Sequence, residues 1–344
     1  MDSDTLQTAK RCLIVAPSWV GDMVMAQTLL RELKAQNVDL QIDVLAPAWC
    51  SALTQYMPEV NQLIEAPFAH GKMSLLARRR LGKQLRGQYD VAFVLPNSLK
   101  SALLPWFANI PVRVGFLGEQ RYGLLSHHQR LDKKLLPTMA QRFVALAKPA
   151  AEAPQVNDIH PPKLMIDPAE QQSVVDNHGL SVDAPILALC PGAEFGPAKQ
   201  WPAEHYAAVA RYYLDQGWQV YLFGSQNDVA SCAAINHQAK GACQDLSGKT
   251  SLQEAIVLMQ LASLVVSNDS GLMHIAAALH KPLVAVYGST DPGFTPPLNA
   301  QAKVVRLGLD CSPCFKRECP LEHLQCLTDL RPKMVLQASK DLLG

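Results

Sequence analysis

Two α/β domains in tandem are predicted, each built on a mainly parallel sheet. Three observations predict this. The chain has 344 residues, about twice the usual domain size. Short apolar runs alternate with stretches of helical period, as in βαβ units. A Pro-rich stretch at 148–168 (Pro149, Pro154, Pro161, Pro162, Pro168) breaks the alternation, and the pattern restarts after it. The expected division is 1–165 and 166–344.

Cys12-Leu13-Ile14-Val15-Ala16 reads as the first strand and Pro17 to Asp22 as a turn. A helix follows from about Met23 to Ala35, with Met23, Ala26, Leu29, Leu30 and Leu33 at helical spacing. Further strands are expected at Ile42–Ala46, Val91–Leu95 and Val112–Phe116. In the second half, strands are expected at Ile186–Cys190, Val220–Phe223, Leu264–Val266 and Leu283–Tyr287. Helices are expected at 203–215, from Leu252 to Leu261 and from Met273 to Leu279. Open α/β sheets bind ligands beyond the carboxyl ends of their strands, so two facing sheets would put those ends on either side of one central cleft. The C-terminal helix could pack back on the first domain.

Composition excludes several classes. Hydrophobic residues make up 49% and charged residues 18%, which rules out a disordered chain. Net charge is +1, so no global basic field points to nucleic acid, and no recognition motif is present. No apolar run reaches the roughly 18 residues of a spanning helix. Met1-Asp2-Ser3-Asp4 lacks the pattern of a secretory signal, so the nine cysteines are expected in a reducing cytosol. Residues 1–160 hold 18 basic and 13 acidic residues, and 161–344 hold 13 and 17. The first half is therefore the one expected to meet something anionic.

Neither half carries G-x-G-x-x-G or G-x-x-x-x-G-K-[ST], which counts against a dinucleotide-dependent dehydrogenase and a P-loop enzyme. Asn268-Asp269-Ser270-Gly271-Leu272-Met273-His274 joins a buried strand to a helix. The N–H groups of such a helix start favour an anion, Gly271 lets a phosphate approach, Ser270 adds a hydroxyl, and His274 lies one turn on. Asp269 or Ser270 could instead simply cap the helix. The loop Pro191-Gly192-Ala193-Glu194-Phe195-Gly196-Pro197-Ala198-Lys199 follows another strand, and Lys199 suits a departing diphosphate or a solvated surface. Asp22 sits where the first strand meets its helix and can serve as a helix-start charge or a general base.

These stretches, with Ala46-Pro47-Ala48-Trp49-Cys50, Leu95-Pro96-Asn97-Ser98, Lys100-Ser101-Ala102-Leu103 and Arg121-Tyr122-Gly123-Leu124-Leu125, resemble the ADP-heptose:lipopolysaccharide heptosyltransferases of glycosyltransferase family 9, in the family's order from residue 11 to about 298. The resemblance implies the GT-B fold, two Rossmann-like domains, with no metal required for catalysis. It implies transfer of L-glycero-D-manno-heptose from ADP-heptose to the lipopolysaccharide inner core, with inversion. By the resemblance, Asp22 is the general base and Lys199 binds the donor phosphates. Gly192, Ala193, Glu194, Asp269, Ser270, Gly271 and His274 hold the donor in the second domain. The first domain takes the acceptor, with Asn97, Lys100, Arg121 and the basic run Arg78-Arg79-Arg80 as candidates. The acceptor, a phosphorylated Kdo-bearing lipid, places the protein in the cytoplasm on the inner leaflet of the inner membrane. A related transferase with another nucleotide-sugar or core position, or a cysteine-based metal or redox protein, is the alternative.

One feature falls outside that reading. Cys311-x₂-Cys314-x₄-Cys319-x₆-Cys326 packs four thiols into sixteen residues. A structural metal site (a tetrahedral zinc or an iron–sulfur cluster), one or two disulfides, or free thiols would each fit. Because the segment lies outside the donor-binding stretches, it is expected to leave nucleotide binding intact.

Overall fold

The computed structural model describes residues 3–68, 72–149 and 152–344. They form two compact units that divide between Pro162 and Lys163, inside the Pro-rich stretch.

The first unit holds β1 (Arg11–Val15), β2 (Gln41–Ala46), β3 (Val60–Glu65), β4 (Val91–Val94), β5 (Val112–Phe116) and β6 (His127–Gln129). All pair in parallel, in the order β3-β2-β1-β4-β5-β6. The second unit holds β7 (Ile186–Cys190), β8 (Gln219–Leu222), β9 (Gln244–Asp245), β10 (Leu264–Asn268), β11 (Leu283–Val286) and β12 (Ala302–Val305). Its order, β12-β11-β10-β7-β8-β9, is the same topology read from the other edge. Both are the doubly wound order of Rossmann domains.

The central strands are apolar throughout because helices cover both faces of a parallel sheet. Cys12, Leu13, Ile14, Val91, Ala92, Phe93 and Val94 are all fully buried. Side chains of the size of Leu13 or Phe93 contribute about 1.5–3 kcal/mol each when buried. In the second unit Trp201, Tyr206 and Tyr213 form the heart of the core. The last helix, Pro332–Leu343, buries Val335 and Ala338 against that core, and Tyr213 donates to Ser339 Oγ at 2.7 Å. It therefore packs on β11, β12 and the Ala203–Leu214 helix of its own unit.

Doubly wound sheets open a crevice where neighbouring strands send their connections to opposite faces. Here that point lies between β1 and β4 in the first unit and between β7 and β10 in the second. The predicted site residues follow these four strands.

Candidate active site

In the first unit, β1 runs through Pro17-Ser18-Trp19 into the Val20–Gln36 helix. Asp22 sits in its first turn, where the helix dipole favours a carboxylate. Trp19, at the cap position, makes no side-chain cap bond. Beside it, β4 runs through Leu95-Pro96-Asn97-Ser98 into the Leu99–Phe107 helix, which carries Lys100. These two connections, with Pro47, Trp49, Phe68 and Arg78, line one cavity of about 420 Å³. Asp22, Asn97, Lys100 and Arg78 are thus brought together. Trp19 and Trp49 meet edge to face at 6.5 Å and stay 41% and 47% exposed, an aromatic wall facing open space. The Arg78 guanidinium lies 4.2 Å from the centre of the Phe68 ring, and its Nε donates to the Met73 carbonyl. Burial, and then the nearby Asp22 charge, push the Cys50 thiol up to about 12.

The other basic candidates separate. Arg79 and Arg80 are exposed and do not line the cavity. Arg121 is fully buried, and its guanidinium donates to the carbonyls of Phe116, Pro96 and Ser98, to Ser101 Oγ and to Asn97 Oδ1. As an acceptor-facing residue it has to be corrected. Its donors are spent on the backbone of the Pro96–Ser101 loop, so it shapes the wall from behind.

In the second unit, Lys199 ends the loop after β7, and Asp269 to His274 follow β10. Lys199 Nζ donates to Asp269 Oδ2 at 2.6 Å, with the two side chains only 15% and 5% exposed. Thr290 Oγ1 donates to the same carboxylate oxygen. Asn268 is fully buried and ties the two connections together. Its amide donates to the Pro191 carbonyl, and its Oδ1 accepts from Trp201 N–H and Tyr206 O–H. Ser270 holds the cap position of the Gly271–Ala278 helix but makes no side-chain cap bond. Neither it nor Asp269 plays the simple capping role, because Asp269 is taken by Lys199 and Thr290. The helix start keeps its partial positive charge for an anion.

His274 is buried one turn on, and its imidazole is pushed down to about 4. Burial is the main cause and the Lys199 charge adds to it, while Asp269 opposes. His274 is therefore neutral near pH 7 and adds no charge at this site. Gly192 lies against Asp228, where a Cβ would stand 2.5 Å from Oδ2. Ala193 is buried, and Glu194 is exposed with Asn227 Nδ2 at 3.5 Å.

Comparison with known proteins gives the family. The sequence pattern of Glycosyltransferase family 9 (heptosyltransferase) matches residues 78–325. Lipopolysaccharide heptosyltransferase 2 of Salmonella typhimurium is 46% identical over 97% of this chain and 99% of its own length. The chain belongs to glycosyltransferase family 9, the heptosyltransferases. The Escherichia coli K12 heptosyltransferase 2 is 45% identical over 97% of this chain and 98% of its own. The solved structure of E. coli ADP-heptose lps heptosyltransferase II matches with a TM-score of 0.85 at 43% identity, covering 97% of this chain and 98% of that one. The protein is accordingly a glycosyltransferase with two Rossmann-like units of the GT-B class.

Sequence reasoning missed three features of this transferase. Thr290 reaches Asp269 only because β11 lies beside β10, and the sole local signal was a Gly-Ser-Thr run after a strand. Phe195 carries Lys199 on its ring at 5.0 Å, and Arg317 at 5.5 Å. The cysteine segment, expected to lie apart, packs on the Lys199 loop. Ala198 N–H donates to the Arg317 carbonyl at 3.0 Å. Gly196 has φ 148°, and a Cβ there would sit 2.6 Å from that same oxygen, so glycine is required twice over. All nine cysteines are free, with no disulfide.

Proposed function

We propose that the enzyme moves L-glycero-D-manno-heptose from ADP-heptose onto the first heptose of the lipopolysaccharide inner core, inverting the anomeric carbon. The observation that carries this reading is the cavity of the first unit. A helix-start carboxylate, an indole wall and two cationic side chains converge there on a space sized for a phosphorylated sugar. In the reaction, a hydroxyl of the acceptor heptose attacks the anomeric carbon and gives its proton to Asp22. The bond from that carbon to the ADP oxygen breaks, and ADP leaves with the electron pair. Lys199 and the N–H groups at the start of the Gly271–Ala278 helix stabilise the charge that develops on the diphosphate. Asn97, Lys100 and Arg78 hold the acceptor. Gly192, Ala193, Glu194, Ser270 and Gly271 line the donor side. Catalysis requires no metal on this reading.

Working on a membrane lipid also accounts for one helix of the first unit. Leu75–Gln84 sends Arg78 to the cavity while presenting exposed Leu75, Leu76, Arg79, Arg80 and Lys83. Basic residues near an anionic surface add on the order of 1 kcal/mol each, and exposed leucines can enter the headgroup layer. Among the described residues no helix is long and apolar enough to cross a membrane. On this reading the enzyme works peripherally on the cytoplasmic face of the inner membrane. The deciding experiment is transfer from ADP-heptose to an acceptor bearing one heptose, with a heptose-free acceptor as control. Transfer to both acceptors, or to the heptose-free one alone, would overturn the assigned position.

A further inference from the structure

We propose that Cys311, Cys314, Cys319 and Cys326 bind one zinc-class metal ion, and that the knuckle so formed braces the loop carrying Lys199. All four side chains line a single cavity of about 20 Å³, together with Ala198, Ser289 and His323. A space of roughly 10–15 Å³ already accommodates one small occupant. Four thiolates closing on one ion make the tetrahedral sulfur set that prefers a soft or borderline metal.

A further observation points to an occupant. Ser289 is only 1% exposed, lines this cavity, and its Oγ has no hydrogen-bond partner. Buried hydroxyls are normally satisfied, and a metal-bound sulfur is an acceptor of the kind found around thiolate sites. A pair of disulfides would leave that hydroxyl unexplained, and no disulfide joins the cysteines.

The cavity wall is also the seat of the donor loop. Ala198 lies between the cysteines and Lys199, and its N–H is bonded to Arg317, within the Cys314–Cys319 span. Phe315 N–H donates to the Ser289 carbonyl at 2.7 Å, and Ser312 Oγ donates to the Gly288 carbonyl. Thr290, the next residue, holds Asp269. Among the described residues no three His, Cys, Asp or Glu side chains form a ready-made ion cage, so metal entry has to draw the thiols inward. Ala198 and Ser289, both in that cavity wall, immediately precede Lys199 and Thr290, the two partners of Asp269. The four cysteines are therefore positioning residues for the donor site. The metal site stands apart from the transferase reading; its effect on ADP rests on it.

The test uses the whole chain purified without chelator. Elemental analysis should give about one zinc per chain. The double variant Cys314→Ser, Cys319→Ser should lose it. Stripping the wild-type protein with a chelator should weaken ADP binding, read by calorimetry, by about tenfold, the scale of an ordinary coupling between two sites, and added zinc should restore it. Reversibility on zinc addition separates this from unfolding. Protein that arrives metal-free, takes up no stoichiometric zinc and shows four alkylatable thiols would overturn the site. Bound zinc whose removal leaves ADP affinity unchanged would overturn the brace. Zinc-loaded protein that never binds ADP would uphold the metal site while striking at the donor reading instead.

Discussion

Lys199 Nζ and Asp269 Oδ2 stand 2.6 Å apart, and the two residues come from connections on neighbouring strands, β7 and β10. Their charges cancel within a nearly closed environment, so the proposed donor site is not a bare cation awaiting phosphate. An ammonium group has three N–H donors. One is used on Asp269, which fixes the direction in which the others point. The carboxylate in turn is held by Thr290, and the loop by Asn268 and Arg317. Pre-organisation of this kind is what makes an electrostatic partner effective as a leaving group departs.

Lys199→Met should therefore act twice. Removing one partner strands a buried carboxylate, which costs about 3 kcal/mol of stability. It should also weaken ADP binding and turnover. Adding Asp269→Asn removes the stranded charge, so the double variant should recover most of the stability while ADP affinity stays low. Denaturant unfolding and calorimetry measure the two effects separately. Recovery of ADP affinity along with stability would mean the lysine only balances a charge.

How much of this was legible follows from where each element lies. The expected strands are the eight interior ones, because burial on both faces leaves apolar runs such as Cys12–Val15 and Leu264–Val266. The four strands that went unread, Val60–Glu65, His127–Gln129, Gln244–Asp245 and Ala302–Val305, are the four sheet edges. Edges are half-solvated, so their sequences carry polar residues that interrupt an apolar run. The site shows the same split. Asp22, Lys199 and Asp269 to His274 stand in local strand-to-helix connections and were readable there. Thr290, the inward turn of Arg121 and the contact of Arg317 with the Lys199 loop depend on segments remote in sequence, and nothing local encodes them.

Asp22→Asn keeps the size and the helix-start position but removes the basic oxygen. Turnover should fall by about 10²–10⁴-fold, the usual range for a lost general base. ADP binding should not move, since Asp22 belongs to the first unit and the residues proposed to hold the nucleotide belong to the second. Steady-state kinetics beside ADP titration makes the comparison. Wild-type turnover in the variant removes Asp22 from the chemistry.

The basic run should divide by position. Arg78→Ala should raise the KM for a soluble inner-core acceptor, because Arg78 lines the cavity on the Phe68 ring. Arg79→Ala with Arg80→Ala should leave that KM alone. It should instead weaken binding to anionic vesicles by roughly 30-fold at low salt, from about 1 kcal/mol per residue. Vesicle sedimentation at two salt concentrations provides the readout. An equal effect of all three residues on KM would contradict the division.

His274 supplies a pH signature with a definite sign. Its folded value is about 4, while an unfolded histidine titrates near 6.5. Between those values the unfolded chain binds the extra proton and the folded chain does not, so stability rises with pH there. The contribution is complete above about pH 6.5 and is lost as pH falls toward 4, on the order of 3 kcal/mol over that window. Carboxylates titrate in the same range, so the comparison has to be with His274→Gln, which lacks the group. Relative to that variant, the wild-type protein should lose stability progressively from pH 6.5 to 4 and run parallel to it above. Bound ADP should raise the His274 value, because a diphosphate anion favours the protonated ring. Histidine NMR titration with and without ADP tests both statements, and a ring that titrates near 6.5 in the ligand-free protein would rule out the buried neutral state.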